Sequence, residues 1–111
     1  MEMTKKFRKK TGVESNEHYE YSKYISKFFN GSMPIKSNNK SSNSIYVPDV
    51  ETYNKVYEIE LVLRKAYINN KFSKINSNKL KVLVIALSDD CYYKFDEILL
   101  IDKNNKISKI K

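Results

Sequence analysis

The sequence predicts an α+β domain in which two helices pack on a small antiparallel meander of three or four strands. Apolar residues recur at helical spacing over residues 15–30 and 49–69, whereas the C-terminal third carries short apolar runs separated by Asn- and Asp-rich turns. A chain of 111 residues has room for one domain. We assign this domain to residues 14–111 and expect residues 1–13 to form a basic flexible arm.

The first helix is predicted over residues 15–30. One helical face collects apolar side chains at positions i, i+3, i+4, i+7 and i+8, namely Tyr21, Tyr24, Ile25, Phe28 and Phe29. Ser15 is a suitable N-cap, and Gly31 can supply a left-handed residue after the last turn. The polar, low-complexity segment 31–48 that follows predicts a long mobile loop.

The main helix is predicted over residues 49–69. Asp49 follows Pro48 and is a suitable N-cap, and Glu51 falls in the first turn, where the helix dipole favours an acid. Apolar residues form a wide stripe along this segment. We therefore expect the helix to pack against the rest of the domain on more than one side.

Three strands are predicted in the C-terminal part of the chain. The continuous apolar run 80–88 indicates a central strand, and residues 92–101 indicate a second one. The polar segment 102–106 predicts a hairpin turn, after which residues 107–110 alternate between Ile and polar residues as a third strand. Residues 72–75 are expected to add an edge strand.

Composition excludes several classes of protein. The longest apolar stretch is too short to cross a membrane, and no apolar core follows the basic N-terminal residues, so we expect neither a membrane protein nor a secreted one and place the protein in the cytoplasm. A single Cys, a single His and two Gly exclude a disulfide, a cysteine-based zinc site, a two-histidine mechanism and a glycine-rich phosphate loop. We expect no cofactor and no small-molecule substrate.

Positive charge is concentrated in two segments. The net charge is +8. One basic segment is the arm at residues 1–13, and the other is residues 64–81, which contain basic side chains without any acid. A basic stripe attracts phosphate through counterion release, so these residues are candidates for contact with nucleic acid, a nucleoprotein or an acidic protein groove. The candidates are Lys5, Lys6, Arg8, Lys9, Lys10, Arg64, Lys65, Lys71, Lys74, Lys79 and Lys81.

These observations favour a small non-enzymatic binding or inhibitory protein that occupies a nucleic-acid-binding or nucleoprotein surface. Exposed Tyr is a common anchor at protein interfaces, and Tyr46 in the polar loop is the best candidate for that role. The many Lys, Asn, Ile, Ser and Tyr residues have AT-rich codons, which is typical of a phage, a virus or a low-GC bacterium.

Two other functions stay open. A small metal-independent ribonuclease toxin could combine a base with cations that stabilise the phosphorane, and the only set to nominate is His18, Glu60, Arg64 and Lys65. An immunity or antitoxin protein could instead plug a partner enzyme, although the positive net charge argues against that role for a nuclease partner.

Metal and thiol chemistry are not expected. Magnesium nucleases need acids that project from strand ends toward one point. Asp89 and Asp90 more simply form a turn, and the neighbours Asp96 and Glu97 point to opposite faces of a strand. Cys91 follows two acids, which disfavour its thiolate.

Overall fold

The computed structural model describes residues 7–35, 46–62, 65–86 and 94–111. Two helices and five strands lie in these ranges, and the strands form one sheet in the order β1-β2-β3-β4-β5. In chain order the elements are α1 (Asn16–Phe28), β1 (Val50–Glu51), β2 (Lys55–Glu60), α2 (Lys65–Ser73), β3 (Leu80–Ile85), β4 (Glu97–Ile101) and β5 (Ile107–Lys109).

The sheet is mixed, so the α+β class is confirmed and the antiparallel meander of three or four strands is wrong. Strands β2, β3 and β4 run parallel to one another, and β1 and β5 are antiparallel strands at the two edges. For β2 and β3 the reason is the position of α2, which lies between them in the chain. A strand that is followed by a crossover helix returns parallel to its predecessor, whereas a short turn would return it antiparallel.

Each face of the sheet carries one half of the core. On one face, Ile25 of α1 packs with Tyr57 and Ile59 of β2, together with alternate residues of β3 and β4. On the other face, Ile68 of α2 packs with Val56 of β2 and the remaining residues of β3 and β4. Because side chains alternate along a strand, both faces of the parallel strands contribute buried apolar residues to the core, and both are covered.

The first predicted helix is confirmed, with one change at its C-terminus. The Ser15 side chain accepts a hydrogen bond from the His18 amide at 3.1 Å, as an N-cap does. The left-handed residue after the helix is Asn30, with a φ of 61°, and not Gly31. Gly31 has a different requirement, because a Cβ there would lie 2.7 Å from the carbonyl oxygen of Glu51.

The predicted helix over residues 49–69 is wrong, because β1 and β2 lie in this segment and only its last residues, 65–69, are helical, as the start of α2. Tyr57 and Leu61 have helical spacing, and with Ile59 between them they also alternate as in a strand, so periodicity did not separate the two. Pairing with β3 decided the outcome, since it supplies a parallel partner for every residue of β2. Asp49 accordingly precedes a strand and caps no helix.

The C-terminal strands are confirmed as β3, β4 and β5, each shorter than predicted. The edge strand over residues 72–75 is wrong. Phe72 and Ser73 end α2, and the Ile75 amide donates to the Phe72 carbonyl oxygen in the turn that follows. In the described part of the chain, neither helix has the length and hydropathy that crossing a bilayer would require.

Candidate functional site

A cleft of about 460 Å³ opens at the carboxyl end of β2, beside the N-terminus of α1 and the face of α2. Its charged lining consists of Glu14, His18, Asp49, Glu60 and Lys71. In sheets with parallel strands, ligands commonly bind outside the carboxyl ends of those strands. The position of this cleft and its charges make it the candidate functional site.

Asp49 is fixed at the floor of the cleft by the end of the β1–β2 pairing. The last paired residues are Val50 and Tyr57, so the next inward amide of β2, that of Ile59, has no partner on β1. Oδ2 of Asp49 accepts this amide at 2.9 Å and also lies 3.2 Å from Nε2 of His18. The carboxylate is fully buried, and its position is set by the backbone of the sheet.

Glu58 lies beside Asp49 and is buried as completely. Its Oε1 accepts a hydrogen bond from the Tyr46 hydroxyl, whereas its Oε2 makes no hydrogen bond to the described residues and lies 3.1 Å from Nζ of Lys71. Burial and the neighbouring charge of Asp49, which is within hydrogen-bonding reach, raise the pKa of Glu58 to about 8. At neutral pH the Asp49–Glu58 pair therefore holds one proton.

Lys71 reaches the carboxylates from α2. Its Nζ lies 2.6 Å from Oε1 of Glu60 and 3.1 Å from Oε2 of Glu58. Burial alone would lower the pKa of Lys71, but the charges of Glu58, Asp49 and Glu60 outweigh it and raise that pKa above its ordinary value. The ammonium group thus stays charged in the cleft.

A chain of ion pairs runs from the cleft to the N-terminal segment. Nδ1 of His18 lies 2.5 Å from Glu14 Oε2, and the Glu14 carboxylate accepts two hydrogen bonds from Arg8 at 2.8 and 2.6 Å. Although burial opposes both shifts, the contacts with Asp49 and Glu14 raise the pKa of His18, and those with Arg8 and His18 lower the pKa of Glu14 to about 2. Both ring nitrogens of His18 thus face carboxylates.

Several of the basic residues singled out in the sequence have partners within the chain. Arg8 is buried against Glu14, and Lys71 points into the cleft. Lys79 lies 2.8 Å from Oε1 of Glu51, and Nζ of Lys81 donates to the Ser77 carbonyl oxygen. These contacts all lie within the chain. Exposed positions are held by Lys9, Lys10 and Lys74.

Several other candidates fall elsewhere. Lys5, Lys6, Arg64, Asp89, Asp90 and Cys91 lie outside the described residues, as does the side chain of Lys65. Of the predicted ribonuclease set, His18 and Glu60 line the same cleft. Tyr46, proposed as an interface residue, is half-buried, and its hydroxyl faces Glu58.

The two remaining carboxylates considered for metal binding are used elsewhere. Asp96 accepts the Lys81 amide at 2.7 Å. Glu97 lies 2.7 Å from Nζ of Lys55 and 3.2 Å from Nζ of Lys109. Over the described ranges, no three His, Cys, Asp or Glu side chains are arranged to hold a metal ion by themselves.

Sequence reasoning missed the grouping of Asp49, Glu58 and Lys71. A helix over residues 49–69 would have spread the first two along its surface, whereas the hairpin of β1 and β2 places them side by side. One signal was available. Glu58 and Glu60 alternate with Tyr57, Ile59 and Leu61, which is the pattern of a strand that carries acids on one face.

No protein-family model, curated protein or solved structure matches this chain.

Proposed function

We propose that the protein hydrolyses phosphodiester bonds of nucleic acid, using a divalent cation such as Mg²⁺ held by Asp49 and Glu58. The observation that carries the proposal is the buried Asp49–Glu58 pair with Lys71 beside it, of which Asp49 and Lys71 line the open cleft. The expectation of a protein without a cofactor is revised in this proposal, because the acids that converge are not those considered from the sequence.

Two adjacent buried carboxyl groups repel each other unless a positive charge lies between them. Here one proton has that role, and burial with the charge of Asp49 holds it on Glu58 up to a pH of about 8. A divalent cation is a stronger substitute for the same proton. Mg²⁺ is commonly bound by one or two carboxylates, together with water and substrate phosphates, so a pair of carboxylates suffices.

Bound there, Mg²⁺ would polarise the phosphoryl oxygen and offset the negative charge of the substrate. Lys71 would add a fixed ammonium group to stabilise charge that develops on the phosphate. Because its pKa is raised, Lys71 acts as a cation and not as a base. Glu60, 2.6 Å from Lys71 and in the lining of the cleft, is the carboxylate placed to accept a proton from the attacking water.

His18, Glu14 and Arg8 are positioning residues in this proposal. Since Nδ1 and Nε2 of His18 both face carboxylates, the ring lacks a nitrogen directed at substrate. This argues against the metal-independent ribonuclease, which needs His18 as its base. The imidazole instead fixes Asp49, and Arg8 fixes Glu14 behind it.

The overall charge suits the same substrate class. A net charge of +8 attracts a polyanion at long range, which is the property that suggested a phosphate-directed partner from the sequence. A protein that binds nucleic acid without cleaving it is the alternative. In this alternative the protein binds the same substrate, but the cleft does not hydrolyse it.

The test is cleavage of labelled single-stranded and duplex oligonucleotides by the full chain in millimolar MgCl₂ or in EDTA. We expect cleavage only with MgCl₂ and a loss of about 100-fold or more in Asp49→Asn and in Lys71→Met. Asp102→Asn is the matched control, because Asp102 lies in the turn before β5 and an Asn there still accepts the Asn104 and Lys106 amides.

Calorimetry of Mg²⁺ binding gives a second readout that does not depend on turnover. Because the pair holds a proton at neutral pH, binding should release it, and the apparent affinity should rise with pH until a pH of about 8. Binding of nucleic acid without cleavage, or cleavage that Asp49→Asn leaves unchanged, would contradict the proposal.

A further inference from the structure

A second and larger cavity lies along α1. It is a groove of about 810 Å³ that faces Leu61, Ala86 and Ile101, the residues at or just beyond the carboxyl ends of β2, β3 and β4. Its polar and aromatic lining includes Tyr21, Lys23, Tyr24, Lys27, Lys103 and Asn105. The groove therefore combines aromatic rings with lysines at the same edge of the sheet as the candidate site.

The groove and the cleft are neighbours. Leu61 lines both of them. At the start of α1, Asn16 and Glu17 line the groove, whereas His18 and the N-cap Ser15 line the cleft. A flexible strand that enters the cleft can therefore continue into the groove around Leu61.

The aromatic side chains of the groove are held in place by the core. Tyr21 and Tyr24 are half-buried and pack against the apolar cluster on that face of the sheet. The ring of Tyr24 lies 6.0 Å from that of Phe28, which is 57% exposed. Aromatic rings fixed in this way offer stacking surfaces at low entropic cost, and unpaired bases stack on such rings.

The charged residues that line the groove sum to a small positive charge. Lys23, Lys27 and Lys103 contribute three positive charges, and Glu17 and Glu20 contribute two negative ones. Lysines beside aromatic rings are the pattern with which proteins hold single strands, because the cations follow the phosphates while the rings stack on bases. Duplex bases are already stacked and present no free face to Tyr24.

We infer that this groove binds a single-stranded segment of nucleic acid next to the bond that the cleft hydrolyses. The inference rests on the proposed function and specifies its substrate class. Phosphates contact Lys23 and Lys103, and a base stacks on Tyr24.

The test is fluorescence anisotropy of a labelled oligothymidine with the full chain in EDTA, so that no cleavage interferes. Lys23→Gln combined with Lys103→Gln should reduce the slope of log affinity against log salt by roughly 1.4, since a single-strand phosphate contact contributes about 0.7. The matched control is Lys74→Gln combined with Lys94→Gln, which removes the same charge from exposed positions outside the groove and should leave the slope unchanged.

Tyr24→Leu tests the stacking contact separately. We expect it to weaken binding of the oligothymidine about fivefold or more and to leave duplex binding unchanged, with thermal unfolding recorded to confirm the fold. The inference would be overturned if the salt slopes of the groove and control lysine variants were equal. It would also be overturned if Tyr24→Leu weakened binding of single strand and duplex equally. Cleavage in MgCl₂ by both pairs of variants at the wild-type rate would overturn it while leaving the proposed function standing. Groove-dependent binding without any cleavage would overturn the proposed function and leave the groove as a single-strand binding site only.

Discussion

Nζ of Lys71 lies 3.1 Å from Oε2 of Glu58, a carboxyl group that is 1% exposed. The two residues belong to α2 and β2, so this contact joins the crossover helix to the sheet at the candidate site. Its strength depends on pH. While the pair of Asp49 and Glu58 holds a proton, Lys71 faces a neutral acid, and once the proton is lost it faces a buried charge.

The first prediction concerns this dependence. A double-mutant cycle with Lys71→Met and Glu58→Gln should give a small coupling free energy well below a pH of about 8 and a larger one, about 2 kcal/mol, above it. Lys71 keeps its charge across this range because its pKa is raised. Urea unfolding of the four proteins at several pH values measures the coupling. A coupling that does not change with pH would contradict the shared proton.

The second prediction concerns stability against pH. The pKa of Glu58 rises from an ordinary 4.5 to about 8 on folding, so between these values the folded protein keeps a proton that the unfolded chain has lost. Stability should therefore fall as pH rises through this window, by up to about 1.4 kcal/mol per pH unit. Glu58→Gln keeps the neutral form and should flatten that decline.

The titration of His18 limits the pH range in which a change in stability can be attributed to Glu58. The pKa of His18 is raised from 6.5, so its contribution to stability is complete below 6.5 and is lost at higher pH. Between pH 4.5 and 6.5 the difference between wild type and Glu58→Gln therefore reports Glu58. Parallel unfolding curves for the two proteins in that range would count against the raised pKa.

The third prediction concerns Arg8. This residue lies in the segment expected to be a flexible arm, but its side chain is 2% exposed and holds Glu14 by two hydrogen bonds. Arg8→Met should lower the free energy of unfolding by about 3 kcal/mol, because it leaves a buried carboxylate with less positive charge. Lys9→Met is the control, since Lys9 is exposed and its replacement should change stability by less than about 0.5 kcal/mol. Equal losses in the two variants would refute the structural role of Arg8.

The fourth prediction concerns the two glycines. A Cβ at Gly31 would lie 2.7 Å from the Glu51 carbonyl oxygen and 3.0 Å from Cγ2 of Thr52, so Gly31→Ala must displace β1. We expect a loss of about 1–3 kcal/mol in thermal or urea unfolding. Gly12→Ala is the control, because nothing lies within 4 Å of a Cβ there. If Gly31→Ala were as stable as Gly12→Ala, the close approach of these segments would be wrong.

Local sequence patterns were sufficient to predict an element where its apolar residues fit only one periodicity. The helix at residues 15–30 and the apolar run at 80–88 were predicted because their periodicity and flanking residues agree. The segment 49–69 was not, because its apolar residues fit two periods. The parallel partner that resolved this ambiguity, β3, lies about twenty residues further along the chain.

The sequence by itself determined the α+β class, the first helix, the three C-terminal strands and the positive charge. These depend on local periodicity and composition. Only the tertiary structure decided that the sheet is mixed and that Glu58 lies beside Asp49 and Lys71, two residues that line the cleft. Their meeting depends on the register of β1 with β2 and on the position of α2 over that face, and both are set by packing between segments distant in the chain.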